Sequence, residues 1–148
     1  MTVRQCPISD LVPIDKAEVV RDGSDITLVG WASTLHLALD AAELLAVENG
    51  ISADVIDLRT LSPIDMETIL ASVRKTGRLL VVDEDYLFCG LSGEIIAAVT
   101  ERAFGDLRAT PGRIAYPNVP PPFAPELERH VLPSAAKIVA AVRAMVRP

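Results

Sequence analysis

Residues 26–32 read "ITLVGWA", seven in a row without a charge. A strand with one wet face alternates polar and apolar side chains. An uninterrupted apolar run is the mark of a strand covered on both faces, as in a parallel sheet between helical layers. The rest of the chain must supply those layers.

It does so in a regular order. "AEVV" (17–20) is a short strand candidate closed by the turn-like Arg21-Asp22-Gly23-Ser24-Asp25. After "ITLVGWA", Ser33 or Thr34 is placed to cap a helix that runs to Asn49-Gly50, with Leu35, Ala38, Ala42 and Leu45 on one stripe. "SADVIDL" (52–58) is the next strand. Ser62 as N-cap, Pro63 at the first position and Asp65 three residues after the cap predict a second helix. Its buried stripe is Met66, Ile69, Leu70 and Val73, Leu61 and Met66 form its hydrophobic staple, and Gly77 ends it. "RLLVVDED" (78–85) is a strand, "SGEIIAAVTERAF" (92–104) a helix capped by Ser92, and "GRIAY" (112–116) a strand. An extended proline-rich segment, "YPNVPPPFAPE", leads to a last helix from Ser134 to Val146. Alternating strands and helices at this spacing predict an α/β domain with a mostly parallel sheet covered on both sides.

At 148 residues one core fits and two do not. Half the residues are hydrophobic and only 4% aromatic, so the core is aliphatic. The net charge of −6, with no Lys/Arg run longer than two, excludes a nucleic-acid backbone as partner. Cys6 and Cys89 suggest neither a disulfide framework nor a metal-ligand spacing, which makes a reduced cytoplasmic setting the expectation. "MTVRQCPISDLVP" lacks the apolar core of a signal peptide, residues 1–13 read as an irregular arm, and no apolar stretch reaches the roughly 18–20 residues that span a membrane.

Ligands of such sheets sit at the carboxyl ends of the strands. That edge should hold Trp31-Ala32-Ser33, Asp57-Leu58-Arg59 and Asp83-Glu84-Asp85. The acidic trio resembles a magnesium or phosphoacceptor pocket, but a receiver domain also needs acids after its first strand, where this chain has Gly30-Trp31-Ala32-Ser33. Arg59 either binds an anionic substrate bidentately or neutralises strand-end carboxylates. The second reading is preferred, with Asp83 or Glu84 as partner. His36, Asp40 and Glu43 share a helical face, which solvated polar residues explain more simply than a metal does. "GLSGE" (90–94) opens a helix whose amides could meet an anion, but neither the dinucleotide fingerprint nor a P-loop is present. No catalytic, cofactor-binding or metal constellation assembles. Tyr86, Leu87, Phe88 and Leu91 fall in a rim loop. Apolar side chains there need a partner, either a second subunit or the proline-rich strap through Phe123.

"KAEVVRDGSDITLVGWASTLHLALDAAELL", "VIDLRTLSPIDMETILASVRKTGRLLVVDED", "GEIIAAV" and "PPPFAPELE" together resemble the transketolase C-terminal domain family. The resemblance is nearest to the terminal domain of the beta subunit of thiamine-diphosphate-dependent 2-oxoacid dehydrogenases of pyruvate, branched-chain or acetoin type. It places the domain at 14–148 and implies a three-layer α/β/α sandwich on a five-stranded sheet with one antiparallel edge strand. It implies an assembly role in a homodimer, beside an alpha subunit and a pyrimidine-binding domain that carry the thiamine diphosphate and Mg site. This chain alone is then expected to bind no cofactor and to be inactive. In several complexes the domain also docks the acyltransferase component. Arg108 stands in the turn where many members carry an aspartate for that docking, Asp15 where a glycine is usual, and Leu87-Phe88 where polar or basic residues are usual. The alternative is a free-standing module binding a small anion near Arg59 and Gly90.

Overall fold

The computed structural model describes residues 12–146, so most of the expected arm at 1–13 lies outside the described residues. In chain order the elements are β1 (Glu18–Arg21), β2 (Ile26–Gly30), α1 (Ser33–Asn49), β3 (Ala53–Asp57), α2 (Met66–Thr76) and β4 (Leu79–Tyr86). There follow α3 (Leu91–Ala103), a 3₁₀ turn (Phe104–Asp106), β5 (Gly112–Tyr116), α4 (Pro125–Val131) and α5 (Ala135–Val146). The strands form one sheet in the order β1-β3-β2-β4-β5. All neighbours are parallel except β1 with β3, where Glu18 stands opposite Asp57. The expected sandwich with one antiparallel edge is therefore the observed fold.

β2 is the axis of the sheet, buried at every position and paired on both sides. Its alternate side chains feed two cores. Ile26 and Leu28 pack with Ala38, Ala42 and Leu45 of α1 and Ile138 and Val142 of α5. Val29, with Ile56 and Val81 beside it, packs under Ile69 and Val73 of α2 and Ile95 and Val99 of α3. Burying aliphatic side chains of this size contributes about 1.5–3 kcal/mol each, which makes the two cores the main source of stability.

Local chemistry sets the helix ends, and three differ from the sequence expectation. α1 is preceded by Ala32 at φ 48°, with no side-chain cap; Thr34 turns back instead, accepting from Trp31 N–H at 3.1 Å and donating to its carbonyl at 2.9 Å. α2 starts at Met66, not at Pro63. Asp65 is its N-cap and accepts from the Thr68 amide at 3.2 Å. Leu61 is exposed, so the residue packing before the cap is Ile64, which joins the core that holds Ile69. Gly90, not Ser92, precedes α3. The expected stops at Gly50 and Gly77 are both left-handed, as a chain leaving a helix there requires. β4 continues through the three acids to Tyr86, with its register to β5 shifted between Val82 and Tyr86. α4 was not visible in the sequence because its seven residues bury no apolar stripe.

One polar cluster interrupts the second core. Asp54, at the start of β3 and fully buried, accepts from the Gly23 amide at 3.0 Å, Lys75 Nζ at 2.9 Å and Ser72 Oγ. The Thr27 hydroxyl joins Ser72 and Thr76, each at 2.7 Å. The bond from Asp54 outweighs burial and holds the Lys75 ammonium above its ordinary pKa. A buried carboxylate is tolerated only when satisfied in this way. Asp54→Ala should therefore cost about 3 kcal/mol, because Gly23, Ser72 and Lys75 lose their common acceptor. Urea unfolding of the variant checks this, and an unchanged midpoint would show the cluster to be dispensable.

Candidate functional site

The carboxyl edge of the sheet brings together the ends of β2, β3 and β4. Among the described residues, three of the four non-glycine residues with positive φ lie just beyond these ends: Ala32 (48°), Arg59 (55°) and Cys89 (61°). The chain leaves each strand abruptly to reach its helix, and these residues adopt the sparsely populated left-handed region to do so.

Arg59 does not meet Asp83 or Glu84. It pairs with Glu18 of β1, and its Nε lies 3.9 Å from Asp57, whose Oδ1 accepts the Arg59 amide at 3.1 Å. The reason is strand order: β2 stands between β3 and β4, two sheet spacings or roughly 10 Å, whereas antiparallel β1 brings Glu18 directly opposite Asp57. Glu18 was missed because its signal is a pairing register rather than a motif. The Arg59 side chain is 28% exposed and that of Glu18 49%, so this pair is a partly solvated clasp on the edge strand.

Asp83 has a different task. It is buried at the end of the packed part of β4, and its carboxylate accepts from the Ser92 amide at 3.1 Å and the Asp85 amide at 2.9 Å. An acid at a helix N-terminus satisfies orphan amides and complements the helix dipole. Gly90 lets the chain pass close by, since a Cβ there would stand 2.2 Å from the Tyr86 carbonyl oxygen. Glu84 is exposed and joins neither Arg59 nor a helix cap.

These contacts decide against the anion module at Arg59 and Gly90. The two residues sit on strands separated by β2, Arg59 already holds two carboxylates, and the α3 terminus is filled by Asp83. The open hollow beside it is lined by Asp85 and Glu94 as well as Cys89 and Arg113. The same occupancy makes this edge a poor fit for a diphosphate, because Arg59 and the α3 amides are already engaged and the exposed acids Glu84, Asp85 and Glu94 repel an anion. His36, Asp40 and Glu43 are exposed along α1, and among the described residues no group of three or more His, Cys, Asp or Glu is arranged to hold a metal.

Beside these acids the edge presents an apolar patch. Tyr86 and Leu87 are partly exposed and Phe88 is 73% exposed, while Leu91 turns inward onto the second core. The Leu87 amide donates to the Tyr116 carbonyl at 2.7 Å and that of Phe88 to Asn118 Oδ1 at 3.0 Å, so backbone bonds hold the loop in place. The Tyr86 ring stands edge-on to Tyr116, centroids 5.3 Å apart, and burial raises the Tyr116 phenol's pKa. Val119, Pro120 and Pro121 form the far wall of a hollow with Tyr86 and Phe88. Phe123 is fully exposed and does not cover the cluster, so the strap borders the patch and leaves it open.

The fold and this edge define a class. The family described as "Transketolase, C-terminal domain" matches residues 15–138, and the chain belongs to it. Within that class it is similar to beta subunits. It is 48% identical over 132 residues to the acetoin:2,6-dichlorophenolindophenol oxidoreductase subunit beta of Cupriavidus necator, covering 89% of this chain and 39% of that one. It is 42% identical over 132 residues to the pyruvate dehydrogenase E1 component subunit beta of Rickettsia bellii, covering 89% and 40%. The chain thus spans about two-fifths of the length of these curated relatives. A solved structure titled as a split gene transketolase, an inactive beta4 tetramer, superposes with a TM-score of 0.81 at 26% identity, over 97% of this chain and 46% of that one. No helix among the described residues is long and apolar enough to cross a membrane.

Two consequences are measurable. Arg59→Ala removes only a half-solvated clasp, so it should cost about 0.5–1 kcal/mol. A melting temperature lowered by more than 10 °C would place Arg59 in a larger network. Asp65 ties the approach to β1 to α2, accepting from the Ala17 amide at 3.2 Å and Thr68 Oγ1 at 2.8 Å. Burial pushes its pKa up, but the Thr68 and Ala17 bonds with Lys16 nearby outweigh that and hold the carboxyl below its ordinary value. A depressed acid stabilises the fold above its ordinary pKa, and that stability is lost as pH falls through the folded value. The stability gap between wild type and Asp65→Asn should be about 1 kcal/mol at pH 7 and shrink below about pH 4. A gap independent of pH in urea titrations would exclude a role for the charge.

Proposed function

We propose that this domain is the carboxy-terminal assembly module of a beta subunit of a thiamine-diphosphate-dependent 2-oxoacid or acetoin oxidoreductase. Its task is subunit contact, and the cofactor and magnesium are held elsewhere in the complete enzyme. The observation that carries this is the chemistry of the carboxyl edge. Where an α/β domain would hold its ligand, Arg59 and Asp83 are already paired within the domain, and beside the exposed acids lies an open aromatic and aliphatic patch. The similarity of nearly nine-tenths of the chain to beta subunits supports the same reading. A contiguous cluster of Tyr86, Leu87 and Phe88, backed by Val119 and two prolines, has the composition of an interface core. A second copy of the domain is the proposed occupant, and the alpha subunit and pyrimidine-binding domain are the further partners of the complete enzyme.

Light scattering on the chain should therefore report a homodimer, and the double variant Leu87→Asp, Phe88→Asp a folded monomer with the wild-type circular-dichroism spectrum. Two charges introduced into a desolvated contact cost several kcal/mol, enough to shift association by at least a hundredfold. A monomeric wild type overturns the contact. Calorimetric titration with thiamine diphosphate and Mg²⁺ should show no saturable heat at micromolar concentrations, and tight binding would overturn the assignment of the cofactor site to other domains.

A further inference from the structure

The strap between β5 and α5 is fastened by one side chain. α4 buries none of its residues, Phe123 before it is fully exposed, and Leu127 within it is 57% exposed. Apolar packing therefore holds this segment weakly. Among the described residues, the two hydrogen bonds that join residues 119–132 to the rest of the domain both come from Lys137, in the first turn of α5. Its Nζ donates to the His130 carbonyl at 2.7 Å and to the Leu132 carbonyl at 2.6 Å. Among the same residues no ion pair reaches the segment. The two carbonyls stand at the end of α4, where orphan acceptors and the helix dipole attract a cation. The same dipole disfavours a lysine in the first turn of α5, so α4 accounts for its placement. Ser134 Oγ accepts the Lys137 amide at 3.3 Å and the next residue, Ile138, is fully buried, which roots the lysine in a fixed helix.

The sequence has three lysines, and this one differs from the other two. Lys75 is held by Asp54 at 2.9 Å and Asp22 at 3.5 Å, and Lys16 lies 4.0 Å from Asp65. Lys137 meets carbonyl oxygens instead. We infer that Lys137 is a modification site for activated acyl groups, and that its acylation unlatches the strap. An amine sheds a proton before it attacks an acyl carbon, and a neighbouring carboxylate opposes that loss. In the step itself Nζ forms a C–N bond to the acyl carbon as the C–O bond of an acyl phosphate or the C–S bond of a thioester breaks. The leaving phosphate or thiolate takes one of the two protons that the ammonium gives up, and water takes the other. The amide so formed keeps one N–H and no charge. At most one of the two carbonyls then has a partner, and the α4 terminus has lost its cation. Val119, Pro120 and Pro121 of the same segment wall the hollow beside Tyr86 and Phe88, so an unlatched strap reshapes that surface.

Hydrogen exchange on the full chain, followed by NMR, reads the latch at the Glu128 and Leu132 amides, which donate to the Ala124 and Glu128 carbonyls at 3.0 Å. Lys137→Gln, which resembles the acylated side chain, should speed both at least about fivefold. Lys137→Arg keeps the charge and should leave both within about twofold of wild type. Acetyl phosphate and acetyl-coenzyme A, added to separate samples at mildly alkaline pH, supply the acyl group. Peptide mass spectrometry should find Lys137 acetylated by at least one donor, about fivefold or more ahead of Lys75, and the donor that reacts identifies the source. The acetylated chain should exchange as Lys137→Gln does. Unchanged exchange in Lys137→Gln, equally fast exchange in Lys137→Arg, acetylation of Lys75 ahead of Lys137, or no acetylation by either donor overturns the inference. A matching rise at the amide of buried Val142 overturns it too, because Lys137 would then support the α5 core rather than the strap.

Discussion

The position of β2 governs this molecule. A five-residue strand with no charge must be covered on both faces and hydrogen-bonded along both edges, so it becomes the centre of the sheet. Helices α1 and α5 then close one face and α2 and α3 the other. With β2 central, β3 and β4 are separated, and β1 reaches β3 from the outside. The pairing of Arg59 with Glu18 rather than with Asp83 or Glu84 follows from that order.

Two buried carboxylates show how the same chemical group serves opposite ends of the sheet. Asp54, at the start of β3, gathers the Gly23 amide, Ser72 and Lys75 and anchors the last turn of α2. Asp83, at the far end of β4, gathers the amides of Ser92 and Asp85 and anchors the first turn of α3. Asp83 is stabilised by the amides and dipole of the α3 N-terminus, whereas Asp54, facing the carboxyl end of α2, depends on its donors, the Lys75 ammonium among them. The open surface is apolar at Tyr86–Phe88 and mixed in the cleft lined by Phe104 and Arg108.

Arg59 illustrates the difference between a residue's presence and its role. A guanidinium at a strand mouth reads equally as anion ligand or as clasp, since both need the same side chain. The geometry chooses the clasp, because Glu18 arrives on the neighbouring antiparallel strand and Asp57 lies two residues back. Its exposure also sets the scale, making it a minor contributor beside the fully buried Asp54.

Much was legible in the letters alone. The apolar runs, the 3.6-residue stripes of α1 and α2 and the glycine stops at 50 and 77 are local patterns, and each appears in the structure as read. The start of α2 was not, because Ser62-Pro63 and Asp65 both look like caps until the Ala17 amide and Thr68 show which one the fold uses. The extent of β4 was read to within one residue at each end, whereas its shifted pairing with β5 was not. Hydrophobic period and cap chemistry act over a few residues and are written in the sequence. Strand order and register join residues far apart in the chain, so the pairing of Arg59 with Glu18 and of Phe88 with Asn118 exists only once the sheet has formed.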